Sequence, residues 1–159
     1  MLGFQASPYK DATSEFDVVF ESSEGRLLGE AEGKDSKAVN VDKLRQLAMN
    51  IHEDLQREEV SAPAKGVLFG NGYRLSLPKD RTVEFTEKCI AAAQSSSTAL
   101  VTTSDLFSAV QYLSAKQDND YAKRCREAIL AGSGLTKLPA PPKRATDAIT
   151  EASEVKSSD

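Results

Sequence analysis

The 159 residues carry a formal net charge of −4, 6% aromatic residues and no tryptophan. That length fits one domain of roughly 100–150 residues with a modest core, and the acidic balance excludes a globally basic nucleic-acid-binding surface. No run approaches the roughly 20 apolar residues of a membrane span and no signal peptide marks the N-terminus, so a cytoplasmic protein is expected; one histidine and two distant cysteines argue against zinc.

Met1-Leu2-Gly3-Phe4 reads as a helix end that stops at a glycine. Residues 5–15 are polar, contain Pro8 and read as a loop or a poorly paired edge. Residues 16–21 form the first strand. Ser22-Ser23-Glu24-Gly25 turns the chain, and residues 26–34 return as the second strand of a hairpin. Residues 35–40 are a polar connection. Residues 41–59 are the clearest helix, with Val41, Leu44, Ala48, Ile51 and Leu55 at spacings of three and four. Asn40 is its expected N-cap and Asp42 suits its first turn. Lys43, Gln46 and Asn50 form a polar flank that spacing alone assigns to solvent. His52 lies beside the apolar stripe as a surface or half-buried residue.

Residues 65–70, continuously apolar in the middle, read as a buried central strand. Asn71-Gly72 follows as a turn or a functional loop, and residues 73–81 are irregular around Pro78. Phe85 before Thr86, with Ile90 beyond, predicts a stapled helix running to about residue 94. Residues 99–103 are rich in β-branched side chains and form the next strand. A helix begins near 105 with Leu106, Val110 and Leu113 on one face. A last helix opens at Asp118 or Asn119, shows Tyr121, Cys125, Ala128 and Ile129, and stops at Gly132. Cys89 and Cys125 are then reduced core thiols on helices. Residues 133–159, rich in Pro, Ser, Thr, Lys and Glu, predict a flexible polar tail. The strand–helix alternation predicts parallel pairing with right-handed crossovers.

Chemistry concentrates in the hairpin. Asp17 sits in Phe16-Asp17-Val18-Val19-Phe20. Leu28, Glu30, Glu32 and Lys34 share one face of the second strand under strict alternation. If the strands pair, Glu32 and Lys34 point the same way beside Asp17. Two carboxylates and an ammonium at one sheet end can hold a divalent metal and activate water. A solvated face of an exposed sheet is the alternative, although small Ala31 and Gly33 permit close approach. Glu30 is a supporting carboxylate, a ligand for a second ion or an exposed strand-edge glutamate.

With Asp17 as the lone acid, Glu32 as the second acid and Lys34 as the lysine, the hairpin resembles the PD-(D/E)xK nuclease-like superfamily. The likeness runs on into Lys43-Leu44-Arg45-Gln46-Leu47 and covers residues 1 to about 113. It implies an α/β, restriction-endonuclease-like fold: a mixed central sheet of about four to five strands flanked by helices. It implies a nuclease-like domain over 1–132, a fragment of a longer protein lacking an upstream helix. It implies Mg²⁺ or Mn²⁺ bound by Asp17, Glu32 and the Gly33 carbonyl, with Lys34 stabilising charge and Gln46 orienting a water, ligand or phosphate oxygen. The implied activity is hydrolysis of DNA phosphodiester bonds, of the repair or restriction type. The implied partners are nucleic acid, a second copy in a homodimer and other domains of a parent protein. The alternative is a catalytically inactive nuclease-like binding or regulatory module. A small α/β interaction domain with an accidental match is the third reading.

Overall fold

The computed structural model describes residues 1–7 and 18–142. Six strands form one mixed sheet, and their order in the sheet is their order in the chain. Gln5–Ser7 (β1), Val18–Ser22 (β2) and Gly25–Gly33 (β3) pair antiparallel, with Val18 opposite Gly29 and Ser22 opposite Gly25. Lys65–Asn71 (β4), Ala99–Thr102 (β5) and Gly134–Leu135 (β6) add on in parallel. Each parallel step needs a crossover, because a strand that ends at one edge must return across the sheet to start again beside it. The helices Asp42–Leu55 (α1), Glu87–Ser95 (α2), Thr103–Ala115 (α3) and Asn119–Ala131 (α4) supply those crossovers.

The alternation of side chains divides the core into two layers. Leu28, Leu68 and Leu100 face α1 and α2, meeting Leu44, Leu47, Cys89 and Ala93. Leu27, Val67, Ala99 and Val101 face the other way, toward Ile129 of α4 and Leu106 of α3. Side-chain caps close three helices, although α3 opens at Thr103 with Thr102 as its cap, not near 105 with a Thr103 or Ser104 cap. Thr86 accepts from the Cys89 N–H, Thr102 from Asp105, and Asp118 from Tyr121.

Several expectations change. Of the expected loop or poorly paired edge over 5–15, Gln5–Ser7 is an edge strand paired to β2, and residues 8–15 lie outside the described residues. The chain from 133 does not begin a tail: Gly134–Leu135 hydrogen-bonds to β5, and Thr136 is buried. Residues 143–159, the rest of the expected tail, lie outside the described residues. Helix α1 ends at Leu55 rather than 59. Its N-cap is Val41, while Asn40 Oδ1 accepts from the Asp42 N–H two residues on at 3.2 Å. Its buried face is Leu44, Leu47, Asn50 and Asp54, with Ala48 exposed, so the helix is rotated from the stripe the apolar residues suggest. The cause lies on β3, whose inward side chains beneath α1 include charged groups that need polar partners.

Candidate active site at the end of β3

Strand β3 carries Arg26, Leu28, Glu30 and Glu32 toward α1. Helix α1 runs back over it, so early α1 residues meet the end of β3 and late ones meet its start. At the start, Arg26 grips Asp54 with both guanidinium nitrogens, the Nη2–Oδ1 bond being 2.8 Å. Asp54 is fully buried, and Arg57 Nη1 stands 3.9 Å from the same Oδ1. Further along, Glu30 is also fully buried. Asn50 Nδ2 donates to Glu30 Oε1 at 2.9 Å, and Lys43 Nζ donates to Glu30 Oε2 at 3.3 Å. The same ammonium donates to Gln46 Oε1 at 2.9 Å. The exposed strand-edge reading of Glu30 is therefore replaced. A carboxylate can stay charged under a helix only when cations and amide donors replace its water, and Lys43 and Asn50 do that.

Beyond Glu30 the strand runs out toward solvent. Glu32 and Lys34 leave the same face and form an ion pair, with side-chain exposures of 18% and 27%. Gly33 between them is exposed. The Lys34 N–H donates to the Asn71 carbonyl at 3.0 Å, which ties the ends of β3 and β4 together. Glu32, Gly33, Lys34, Lys43 and Gln46 are thus gathered at one end of the sheet. Asp17 lies outside the described residues. It immediately precedes Val18, whose partner Gly29 is the neighbour of Glu30.

A hydrated Mg²⁺ asks for one or two carboxylates and keeps several waters. Glu32 suits such an ion, while Lys34 already neutralises that carboxylate and the Arg74 side chain packs against Gly33, where a Cβ would stand 3.3 Å from Nη1. Among the described residues no group of three or more His, Cys, Asp or Glu side chains is placed to hold a metal.

Other candidates for chemistry fall away. Both cysteines are free and buried. Burial pushes the Cys89 thiol up to about 11 and raises Cys125 as well, so neither is a thiolate nucleophile at neutral pH. His52 is exposed, with its Nε2 3.1 Å from Gln56 Nε2.

A second feature at this end of the sheet had only a faint signal in the sequence. The loop after β4 folds back on the segment after β3. Tyr73 N–H donates to the Lys37 carbonyl, Arg74 N–H to Lys34 and Leu75 N–H to Asp35. Arg81 fastens the far side of the loop, donating to Asn71 Oδ1 at 2.7 Å, to the Ser76 carbonyl at 3.1 Å and to Glu84 Oε2 at 3.3 Å. Asn71 and Arg81 flag a loop in the sequence, but spacing could not pair them. Among the described residues no helix is long and apolar enough to cross a membrane. Comparison with protein-family models, curated proteins and solved structures gives no match.

Proposed function

We propose that the chain is a metal-dependent nuclease domain of restriction-endonuclease-like architecture, hydrolysing DNA phosphodiester bonds at the end of β3. One observation carries the reading: Glu30, Glu32 and Lys34 leave one face of β3, and Glu30 meets Lys43, whose ammonium also holds Gln46. The element order supports it, since an antiparallel hairpin is followed by a helical crossover into a parallel strand. Asp17 and Glu32 would hold Mg²⁺ or Mn²⁺ with the Gly33 carbonyl, and the ion would supply Lewis-acid charge stabilisation and a lowered water pKa. Lys34 stabilises charge on the phosphate. Gln46, held by Lys43, orients a water or a phosphate oxygen. Glu30 stays buried and positions Lys43.

The test is cleavage of supercoiled plasmid and duplex oligonucleotide with MgCl2 or MnCl2 against an EDTA control. Cleavage is expected with either ion and lost in Asp17→Ala, Glu32→Ala and Lys34→Ala, with the far-ultraviolet circular dichroism unchanged. Cleavage that survives in all three folded variants overturns the assignment.

A second reading is a nuclease-like module without catalysis, binding or regulating within a larger protein. The pairing of Glu32 with Lys34 and of Glu30 with Lys43 favours it, because both described acids are already neutralised. Titration calorimetry separates the two. Heat on adding MnCl2 that Glu32→Ala abolishes supports the nuclease, and no heat supports the module.

A further inference from the structure

The segments 34–37 and 71–84 form one rim beside Glu32, which pairs with the rim's Lys34, and its composition departs from that of the chain. Five cations stand against three acids there, in a chain of net charge −4. The rim is rigid. Four backbone bonds join the two segments, and Ser76 N–H closes a turn on the Tyr73 carbonyl at 2.8 Å. Tyr73 holds φ at 51°, a left-handed conformation that an L-residue adopts only when its surroundings compel it. A side chain at Gly72 would collide with the backbone of Glu84, so the two ends of the loop are packed against each other.

From this base the sequence Arg74-Leu75-Ser76-Leu77-Pro78-Lys79 stands out. Leu75 is 78% exposed and Leu77 61% exposed. Val83 and Phe107 add exposed apolar surface, and Phe107 shares a shallow cleft with Pro78 and Arg81. Arg74 pairs with Asp35. Lys37 and Lys79 make no ion pair or side-chain hydrogen bond among the described residues. Exposed leucines on a pinned loop are not the outcome of a loose surface. They are held out of the core by the hydrogen bonds beneath them.

We propose that this rim binds nucleic acid, with Leu75 and Leu77 wedged against the bases where a duplex opens and Lys37 and Lys79 on the flanking phosphates. The inference rests on the nuclease reading for its choice of ligand. Apolar side chains inserted at a base step unstack it and fix the position of the backbone, and cations alongside supply the salt-dependent affinity. The rim adjoins Glu32 and Lys34, so a strand held there passes the candidate site. A duplex end or fork is preferred over continuous duplex, because its terminal base pairs open at lower cost.

The test is fluorescence anisotropy in EDTA, with the full chain and labelled forked and blunt duplexes at several salt concentrations. The fork is expected to bind tighter than the blunt duplex. L75A/L77A should weaken fork binding by about tenfold and erase that preference. K37A/K79A should lower the slope of log affinity against log salt by about two, leaving the preference in place. Both pairs are exposed, and circular dichroism and the denaturation midpoint confirm that the variants fold. Absence of binding to either DNA at low salt, or binding unchanged in both double variants, overturns the proposal. So does capture by phosphatidylserine vesicles, lost in L75A/L77A, without DNA binding. Binding that persists while Mg²⁺- and Mn²⁺-dependent cleavage is absent leaves the rim standing and removes only the nuclease reading.

Discussion

Asp54 shows what a single residue commits the fold to. Its carboxylate is fully buried, and Arg26 reaches it from the neighbouring strand with both guanidinium nitrogens. Removing one partner of a buried pair leaves an uncompensated charge, which costs more than the pair contributes. Arg26→Ala is expected to lower unfolding free energy by about 3 kcal/mol, at the low end because Arg57 stays near the carboxylate. Asp54→Leu added to Arg26→Met should recover most of that loss. Urea denaturation of the three proteins checks this, and a single variant within 1 kcal/mol of the parent, roughly surface-mutation size, argues against it. Glu30 follows the same logic with Lys43 and Asn50. The sequence left Glu30 open between a supporting carboxylate and an exposed strand-edge glutamate and singled out nothing at Asp54, because periodicity ranks residues by polarity and cannot see a partner on another element. The alternation Leu28, Glu30, Glu32, Lys34 was legible. Which of those positions α1 would cover was not.

At the scale of elements, the hairpin, the helix over it and the central strand were readable because each has a local signature. Paired apolar alternation, a 3.6-residue stripe and a short continuous apolar run do not depend on the rest of the chain. The caps Thr86 and Asp118 were readable for the same reason, a side chain bonding its own backbone three residues on. The rotation of α1 was not local. Two strips of polar groups, Lys43 and Asn50 above Glu30 and Asp54 above Arg26, turn that helix away from its purely apolar face. Close packing elsewhere is strict as well. A methyl group at Gly70 of β4 would overlap the Phe85 ring just before α2. Gly70→Ala should therefore destabilise by about 1–3 kcal/mol through overpacking, read as a lowered denaturant midpoint with an unchanged slope. A midpoint equal to the parent's would show that Phe85 has room to move.

For the whole molecule, one contact ties distant parts of the chain together. Arg126 of α4 donates to both oxygens of Glu24 in the β2–β3 turn, at 2.7 and 2.8 Å, and to the Leu2 carbonyl at 2.6 Å. The Arg126 hydrogen bonds hold the Glu24 carboxyl well below its ordinary range, moving it from 4.5 to about 2. A carboxyl with a depressed folded-state pKa stabilises the fold above its unfolded pKa and loses that contribution as pH falls through the folded one. The stability difference between the parent and Glu24→Gln should be constant above about pH 4.5 and shrink toward zero by about pH 2. Thermal melts across that range measure it, and a difference that does not change with pH would contradict the pairing. The partly exposed pair is screened by salt, so the effect is smaller at high ionic strength.

The amino-acid sequence by itself determined the α/β class, the hairpin–helix–strand order and the acid-x-lysine spacing at the end of β3, all of which rest on near-neighbour periodicity. Tertiary structure alone decided three things: that Glu30 lies under a helix, that residues beyond 133 complete the sheet, and that two separate segments join into one rim. The reason is physical. Gly134–Leu135 has too little apolar sequence to order itself, and becomes a strand only because β5 offers it an edge of unpaired hydrogen-bonding groups. Likewise Asn71, Tyr73 and Arg81 acquire fixed positions only from the carbonyls and carboxylates that the fold brings to them.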